Sequence, residues 1–298
     1  PAGADLPDRA GYAYAFAPGS HASLRMLAGL LADSVRVRHA RYAFRVGPHD
    51  FPGGAFLVLV NRNDASVHDA VRRRAAESGA AVVALHGALV DAGTDLGSNS
   101  VEAIPVPRVA LAGGDGTSSY SHGASWYVFE QLLGFPVTRV ALDDLPDALG
   151  DFDVVVLPSA FGLADRFGEG GTAALQRWVR AGGVLVTLDG ATAWLASEAS
   201  GLSRFRVAEG PEPEDGMAPL PASTPGALVR VAVDTLSPLM AGVRDSWIPV
   251  LLSGDRVYEA PDDLRPGEVV GRFADVGELR IAGYLWPEAP ARVAGSPW

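Results

Sequence analysis

The sequence predicts two α/β domains, the second built on a parallel sheet with added strands. Three observations lead there. Asp153 to Trp194 reads strand, amphipathic helix, strand, with an unbroken apolar run in each strand, the pattern of a parallel βαβ unit covered on both faces. The chain before Asp91 alternates short apolar runs with helical spacing, as β-α-β-β-α-β. The chain after Gly226 is rich in strand-like runs. We expect residues 1–105 to form the small first domain and residues 106–298 the second.

The chain has 298 residues and is 48% hydrophobic, ample for two cores at roughly 150 residues per domain. No apolar stretch approaches the roughly 20 residues of a membrane span. A formal net charge of −11 argues against nucleic acid and anionic lipid as partners. The chain has no Cys, which excludes disulfides, thiolate metal ligands and a Cys nucleophile. Its basic residues are all Arg, which excludes a Schiff-base Lys and a phosphate-loop Lys. It starts at Pro1 with neither initiator Met nor signal peptide, as a mature or excised fragment would.

The elements follow in order. Tyr12 to Phe16 alternates large and small, as a strand with one aromatic face does. Ser20, after a Pro18-Gly19 turn, is a fair N-cap for a helix carrying Leu24, Leu27, Leu30 and Leu31 and ending near Asp33. Val35 to Val46 alternates again. Gly47-Pro48 and Pro52-Gly53-Gly54 are turns around a loop holding His49 and Asp50. Phe56 to Val60 is a buried strand. Ser66 caps a second helix with Val67, Ala70, Val71 and Ala75 inward, Arg72 to Arg74 on a solvated face, and Gly79 at its end. Ala81 to Leu85 is a strand. Asp91 to Pro107, rich in Gly, Ser, Asn and Pro, reads as the boundary.

Beyond it, Val109 to Leu111 restarts a strand, Gly113 to Gly116 is a turn, and a helix carries Trp126, Phe129, Leu132 and Leu133. Val137 to Val140 is a short strand. In the central βαβ unit, Asp153 to Leu157 is stopped by Pro158, the helix is closed by Gly182-Gly183, and Val184 to Leu188 runs into Asp189-Gly190-Ala191. Glu198 to Gly226 breaks the pattern, and its Pro211 to Asp215 segment reads as an acidic surface excursion. Leu228 to Val233, Ile248 to Leu252, Val269 to Phe273 and Leu279 to Leu285 are strand-like, and the chain ends without a closing helix.

Candidate chemistry collects where ligands sit in open α/β sheets, beyond the strand ends. A sharp strand-to-helix turn at Leu188-Asp189-Gly190-Ala191 lifts Asp189 above the sheet beside helix N–H donors. In hydrolases of this layout the lifted residue is Ser or Cys. Asp189 is either a nucleophile toward alkyl or phosphoryl centres or, in the commoner case, a cap for the next short helix. Gly113-Gly114-Asp115-Gly116-Thr117 follows a strand and opens a helix, so Gly114, Asp115, Gly116 and Thr117 are candidates for holding a phosphate on backbone N–H groups. A plain tight turn is the competing reading. The five residues look like the Gly-Gly-Asp-Gly-Thr of lipid and nicotinamide-nucleotide kinases. Ser121 beside His122 raises nucleophilic chemistry, against helix capping by Ser121. Ser159, after Pro158, is a nucleophile candidate or a turn serine. The six His form no metal-ligand spacing, so no metal site is expected in this chain.

Asp153 to Pro158, the helix ending Trp178-Val179-Arg180-Ala181-Gly182-Gly183, and Val184 to Gly190 together resemble the class I glutamine amidotransferase-like fold, which is flavodoxin-like. In that family the position of Asp189 holds the catalytic Cys, so the resemblance implies the fold without amidotransferase activity. Tyr12 to Phe16, Phe51-Pro52-Gly53-Gly54, Asp95-Leu96-Gly97-Ser98, Pro107 to Leu111, Gly123 with Trp126, and Arg177 to Gly183 resemble the C-terminal region of large bacterial zinc carboxypeptidase-like proteins, of carboxypeptidase A type. This second resemblance implies a secreted or periplasmic, non-catalytic accessory region. Its partner would be an upstream peptidase module that holds the zinc, its ligand a peptide or glycan, and it would need no cofactor of its own. The alternatives are a hydrolase using Asp189, or Ser121 with His122, and a nucleotide- or lipid-phosphate enzyme using Gly113 to Thr117.

Overall fold

The computed structural model describes residues 8–209, 223–240, 242–243 and 245–298. Pro211 to Asp215, read above as an acidic excursion, lies outside the described residues. The chain divides into two compact units, Pro1–Leu111 with Gly123–Arg139, and Ala112–His122 with Val140–Trp298.

The first unit is built on β1 (Ala13–Phe16), α1 (His21–Ala32), β2 (Arg38–Ala40), β3 (Phe44–Val46), β4 (His49–Phe51), β5 (Phe56–Leu59), α2 (Val67–Ser78), β6 (Val83–Leu85), β7 (Ala92–Gly93) and β8 (Val101–Ala103). Its five-stranded sheet has the order β6-β1-β5-β2-β8, and every neighbouring pair is antiparallel. The large-small alternation of β1 divides its side chains between two faces. Tyr14 and Phe16 join the core with Met26, Leu30, Val67 and Val71 of the helices. Ala13 and Ala15 face Phe44, Phe51, Leu57 and Leu96. The small residues leave room for the stacked Phe44–Phe51 pair, whose ring centroids are 4.7 Å apart. Ser20 caps α1, its hydroxyl accepting from Ser23 N–H at 3.0 Å.

Three expectations for this region are corrected. The alternation of Val35 to Val46 is two strands, β2 and β3, in different sheets. His49 and Asp50 lie in β4 rather than a loop, paired with Val46 and Arg45 in a hairpin turned by Gly47-Pro48. The hairpin's polar, exposed edge hid its strand character. The boundary segment Asp91 to Pro107 contributes β7, paired with β3, and β8, an edge strand of the main sheet.

Beyond residue 108 the elements run β9 (Val109–Gly113), α3 (Ser119–Trp126), β10 (Thr138–Ala141), α4 (Leu145–Ala148), β11 (Val154–Leu157), α5 (Leu163–Arg180), β12 (Val184–Thr187) and α6 (Gly190–Leu195). The strand order β10-β9-β11-β12 is 2-1-3-4 counted from β9, the flavodoxin-like order. β11 and β12 are parallel, Val154 to Leu157 against Val184 to Thr187. The fold is therefore mixed α/β, a small first unit followed by a parallel-sheet unit with added strands. Buried β11 reads as a continuous apolar run, as a strand covered on both faces must. β12 is the edge strand and leaves Val184 and Val186 exposed. Helix α5 is interrupted at Gly168, at φ 54° and ψ −168°.

The added strands are β13 (Arg206–Val207), β14 (Thr224–Val233), β15 (Trp247–Gly254), β16 (Tyr258–Glu259), β17 (Gly271–Phe273) and β18 (Arg280–Gly283). Long β14 pairs antiparallel with β15, β17 and β18. The expected strand Leu279 to Leu285 is shorter, because α7 (Val276–Leu279) precedes it. The chain does have a helix near its end, α8 (Ala289–Val293), where Ala289 and Val293 bury against Leu279 and Leu285.

Candidate functional site

Parallel pairing brings the site together. Leu157 pairs with Thr187, and Leu188 N–H donates to Leu157 O at 3.0 Å. Ser159 and Asp189 each lie two residues beyond that pair, so both strands deliver them to one end of the sheet. Ser159 Oγ donates to Asp189 Oδ2 at 2.6 Å, and Gly190 N–H donates to Ser159 Oγ at 3.3 Å.

Asp189 stands at φ 45° and ψ −109°, a conformation L-residues avoid and one that costs about 1–3 kcal/mol. Close packing holds it there. A Cβ on Gly190 would meet Ala160 O at 2.7 Å and Ser159 Oγ at 3.1 Å, so the turn approaches the β11 loop as only glycine permits. The backbone is the lifted elbow expected from the sequence. The side chain does not cap α6. It bonds to Ser159 on one oxygen and to Arg256 Nη1 on the other. Arg256, between β15 and β16, was not singled out from sequence, and a residue so far along the chain offers no local signal. Burial is the main force raising the pKa of the nearby Tyr258. The charge of Asp189 adds to the rise and Arg256 opposes it.

The Gly113 to Thr117 loop lies at the point where the strand order reverses, where open α/β sheets place ligands. Gly114 and Gly116 both take φ 85°. The loop closes on itself, with Thr117 N–H and Thr117 Oγ1 both donating to Gly114 O, at 3.2 and 2.6 Å. It is also bound to the β11 loop. Ser118 N–H donates to Ser159 O and Phe161 N–H to Gly116 O, each at 2.8 Å. The Thr117 and Ser118 amides therefore already have partners. The Arg166 guanidinium lies against Gly116 and pairs with Asp143 at 2.8 Å. Asp115 is exposed at the turn.

Ser121 and His122 turn to different partners. Ser121 Oγ accepts from Ser159 N–H at 3.0 Å. His122 Nδ1 donates to Ala112 O at 2.8 Å, because a carbonyl only accepts. The structure thus gathers Ser121, Ser159, Asp189 and Gly190 into one chain of hydrogen bonds and adds Arg256 at its end. A serine nucleophile needs a base to take its proton, and a carboxylate nucleophile needs an open approach to one of its oxygens. Here the carboxylate oxygens are engaged by a hydroxyl and a guanidinium, and the imidazole is directed at the backbone. Among the described residues, no three His, Asp or Glu side chains cluster as metal ligands, and no helix is long and apolar enough to cross a membrane.

No family model and no curated protein matches the chain. A solved structure from Thermoplasma acidophilum, of a GMP synthase-type protein, is similar at 15% identity over 53% of this chain and 70% of that one, with a TM-score of 0.36. A likeness so distant carries no argument. The α/β assignment rests on the strand order and the parallel β11–β12 pair described above.

Proposed function

We propose that this chain is a non-catalytic accessory region of a zinc carboxypeptidase-like peptidase, with an amidotransferase-like fold whose elbow lacks its nucleophile. Its place would be beside an upstream module that holds the zinc, in a secreted or periplasmic protein. Its work would be to shape substrate access or to bind a peptide or glycan. The observation that supports the non-catalytic reading is Asp189. It keeps the strained elbow backbone while Ser159 and Arg256 occupy its carboxylate. The parent-protein reading is supported by the motif resemblance along the chain.

Two measurements test these parts separately. Amide and ester substrates should show no turnover with the isolated chain, and turnover abolished by Asp189→Ala would overturn the non-catalytic reading. Coding DNA upstream of Pro1 should encode His-x-x-Glu and a distant His. A start codon just before Pro1, with no such module, would remove the peptidase parent.

A further inference from the structure

The first unit holds a cleft of about 370 Å³, within the roughly 300–1,000 Å³ range of small-ligand sites. Three arginines line it, Arg36, Arg38 and Arg62, and among the described residues no Asp or Glu does. In a chain of net charge −11, this is a local inversion. On α2 of the same unit, by contrast, Arg73 and Arg74 answer Asp33. Arg36, Arg38 and Arg62 form no ion pair among the described residues. The rest of the lining is largely apolar and includes Val35, Leu59 and Ile104.

The walls are fixed. Asn63 accepts from Arg36 N–H at 2.8 Å and donates to Arg36 O at 3.2 Å and to Leu59 O at 2.9 Å. That side chain ties the turn carrying Arg62 to the segment carrying Arg36. Arg38 Nη1 donates to Val101 O at 2.7 Å, which anchors the guanidinium on the neighbouring strand. Ile104 N–H donates to Val37 O at 2.9 Å and holds the floor.

We propose that this cleft binds a small amphiphile, an oxyanion head on an apolar body. Guanidinium forks match carboxylate and phosphate oxygens in paired hydrogen bonds. Gathering three like charges without a counter-charge is unfavourable until an anion enters. The apolar lining takes the body.

The test is calorimetric titration of the whole chain with octanoate, octyl phosphate, inorganic phosphate and neutral octanamide. At least one alkyl anion should bind at least tenfold tighter than octanamide and weaken as salt rises. The tighter of the two assigns the head group. Arg36→Gln with Arg62→Gln should weaken it at least tenfold. Both side chains are exposed, so the melting temperature should hold. Val106→Glu, at a 55% exposed rim position, should weaken the anion and spare octanamide. No binding of either alkyl anion at millimolar concentration would overturn the proposal. So would equal binding of octanamide, equal binding of inorganic phosphate, or undiminished binding by the double variant and by Val106→Glu.

Discussion

Two aspartates of this chain each meet arginine, and they stand in opposite circumstances. Asp33 ends α1 at φ −77° and ψ 8°. It takes a two-pronged contact from Arg74, Nε at 2.9 Å and Nη2 at 2.7 Å, and a third bond from Arg73 at 2.7 Å. Its side chain is 23% exposed. Asp189 sits at φ 45°, is 66% exposed, and meets Arg256 through one nitrogen. The first pair joins two helices with relaxed backbone. The second is held on a strained turn by the packing around it. An Asp–Arg pair alone therefore says little. The backbone beneath it separates the relaxed pair from the strained one.

The largest expected effect tests what holds the strained side. Gly190→Ala puts a methyl group into Ala160 O and Ser159 Oγ. Overpacking of this kind costs about 1–3 kcal/mol, and contact with fixed backbone places this case at the upper end. Urea unfolding should show the loss. A change under about 0.5 kcal/mol, the range of neutral surface substitutions, would mean the turn yields easily and stores no strain.

The clamp comes next. Arg74→Ala removes both prongs on Asp33 and a bond to Glu77. It also removes the side chain that lies over Gly29, where α1 and α2 approach closely. Charged hydrogen bonds in part-buried settings contribute about 1.5–3 kcal/mol, so a loss near 2 kcal/mol is expected, and Arg74→Lys should recover only part of it. The effect depends on pH in one direction. Hydrogen bonding from Arg74 leads the forces that lower the Asp33 pKa, against a desolvation that raises it. The folded value lies below the unfolded value of about 3.9. The stabilisation is thus complete above that value and is lost as pH falls through the folded one. The gap between wild type and Arg74→Ala should stay level at neutral pH and shrink below about pH 4. A gap unchanged in acid would assign the effect to packing over Gly29 alone.

The same contrast explains what could be read without coordinates. The central βαβ unit was legible because a strand covered on both faces must be apolar throughout, as Val154 to Leu157 is. Strand β4 was not, since two of its three residues are polar and exposed, His49 and Asp50. Strand β8 was hidden by its three-residue length and by Glu102 and Ala103, which lie open at the sheet edge. Arg74 read as part of a solvated face because helical spacing shows which residues share a side, and not what lies opposite. At the elbow, the Asp189-Gly190 turn and Ser159 each carried a local signal. Their meeting depends on strand register, and Arg256 reaches Asp189 from 67 residues away. The three-arginine cleft was not read from the sequence, which showed only the alternation of Val35 and Val37 between which Arg36 and Arg38 fall. Arg62 arrives through the Asn63 bridge, which no pattern announces.

The smallest expected effect is the most telling, because one substitution made at both aspartates should cost far less at the strained one. Asp33→Gly loses the clamp and adds chain entropy to the unfolded state, roughly 0.5–1 kcal/mol for glycine, so it should destabilise by about 2 kcal/mol or more. Asp189→Gly also loses its partners, but an exposed ion pair contributes only about 0–1 kcal/mol. It gains relief from a backbone strain of about 1–3 kcal/mol. Glycine adds the same unfolded-chain entropy here, roughly 0.5–1 kcal/mol, and the Ser159 bond is lost as well, so gains and losses offset and the net should lie within about 1 kcal/mol of zero. Equal losses at the two positions in urea unfolding would show that the strain at Asp189 is not real, and the reason to regard the elbow as a retained site would go with it. A neutral or stabilising Asp189→Gly would mean that Asp189 is kept at a cost to folding. A cost of that kind persists at positions that bind or act.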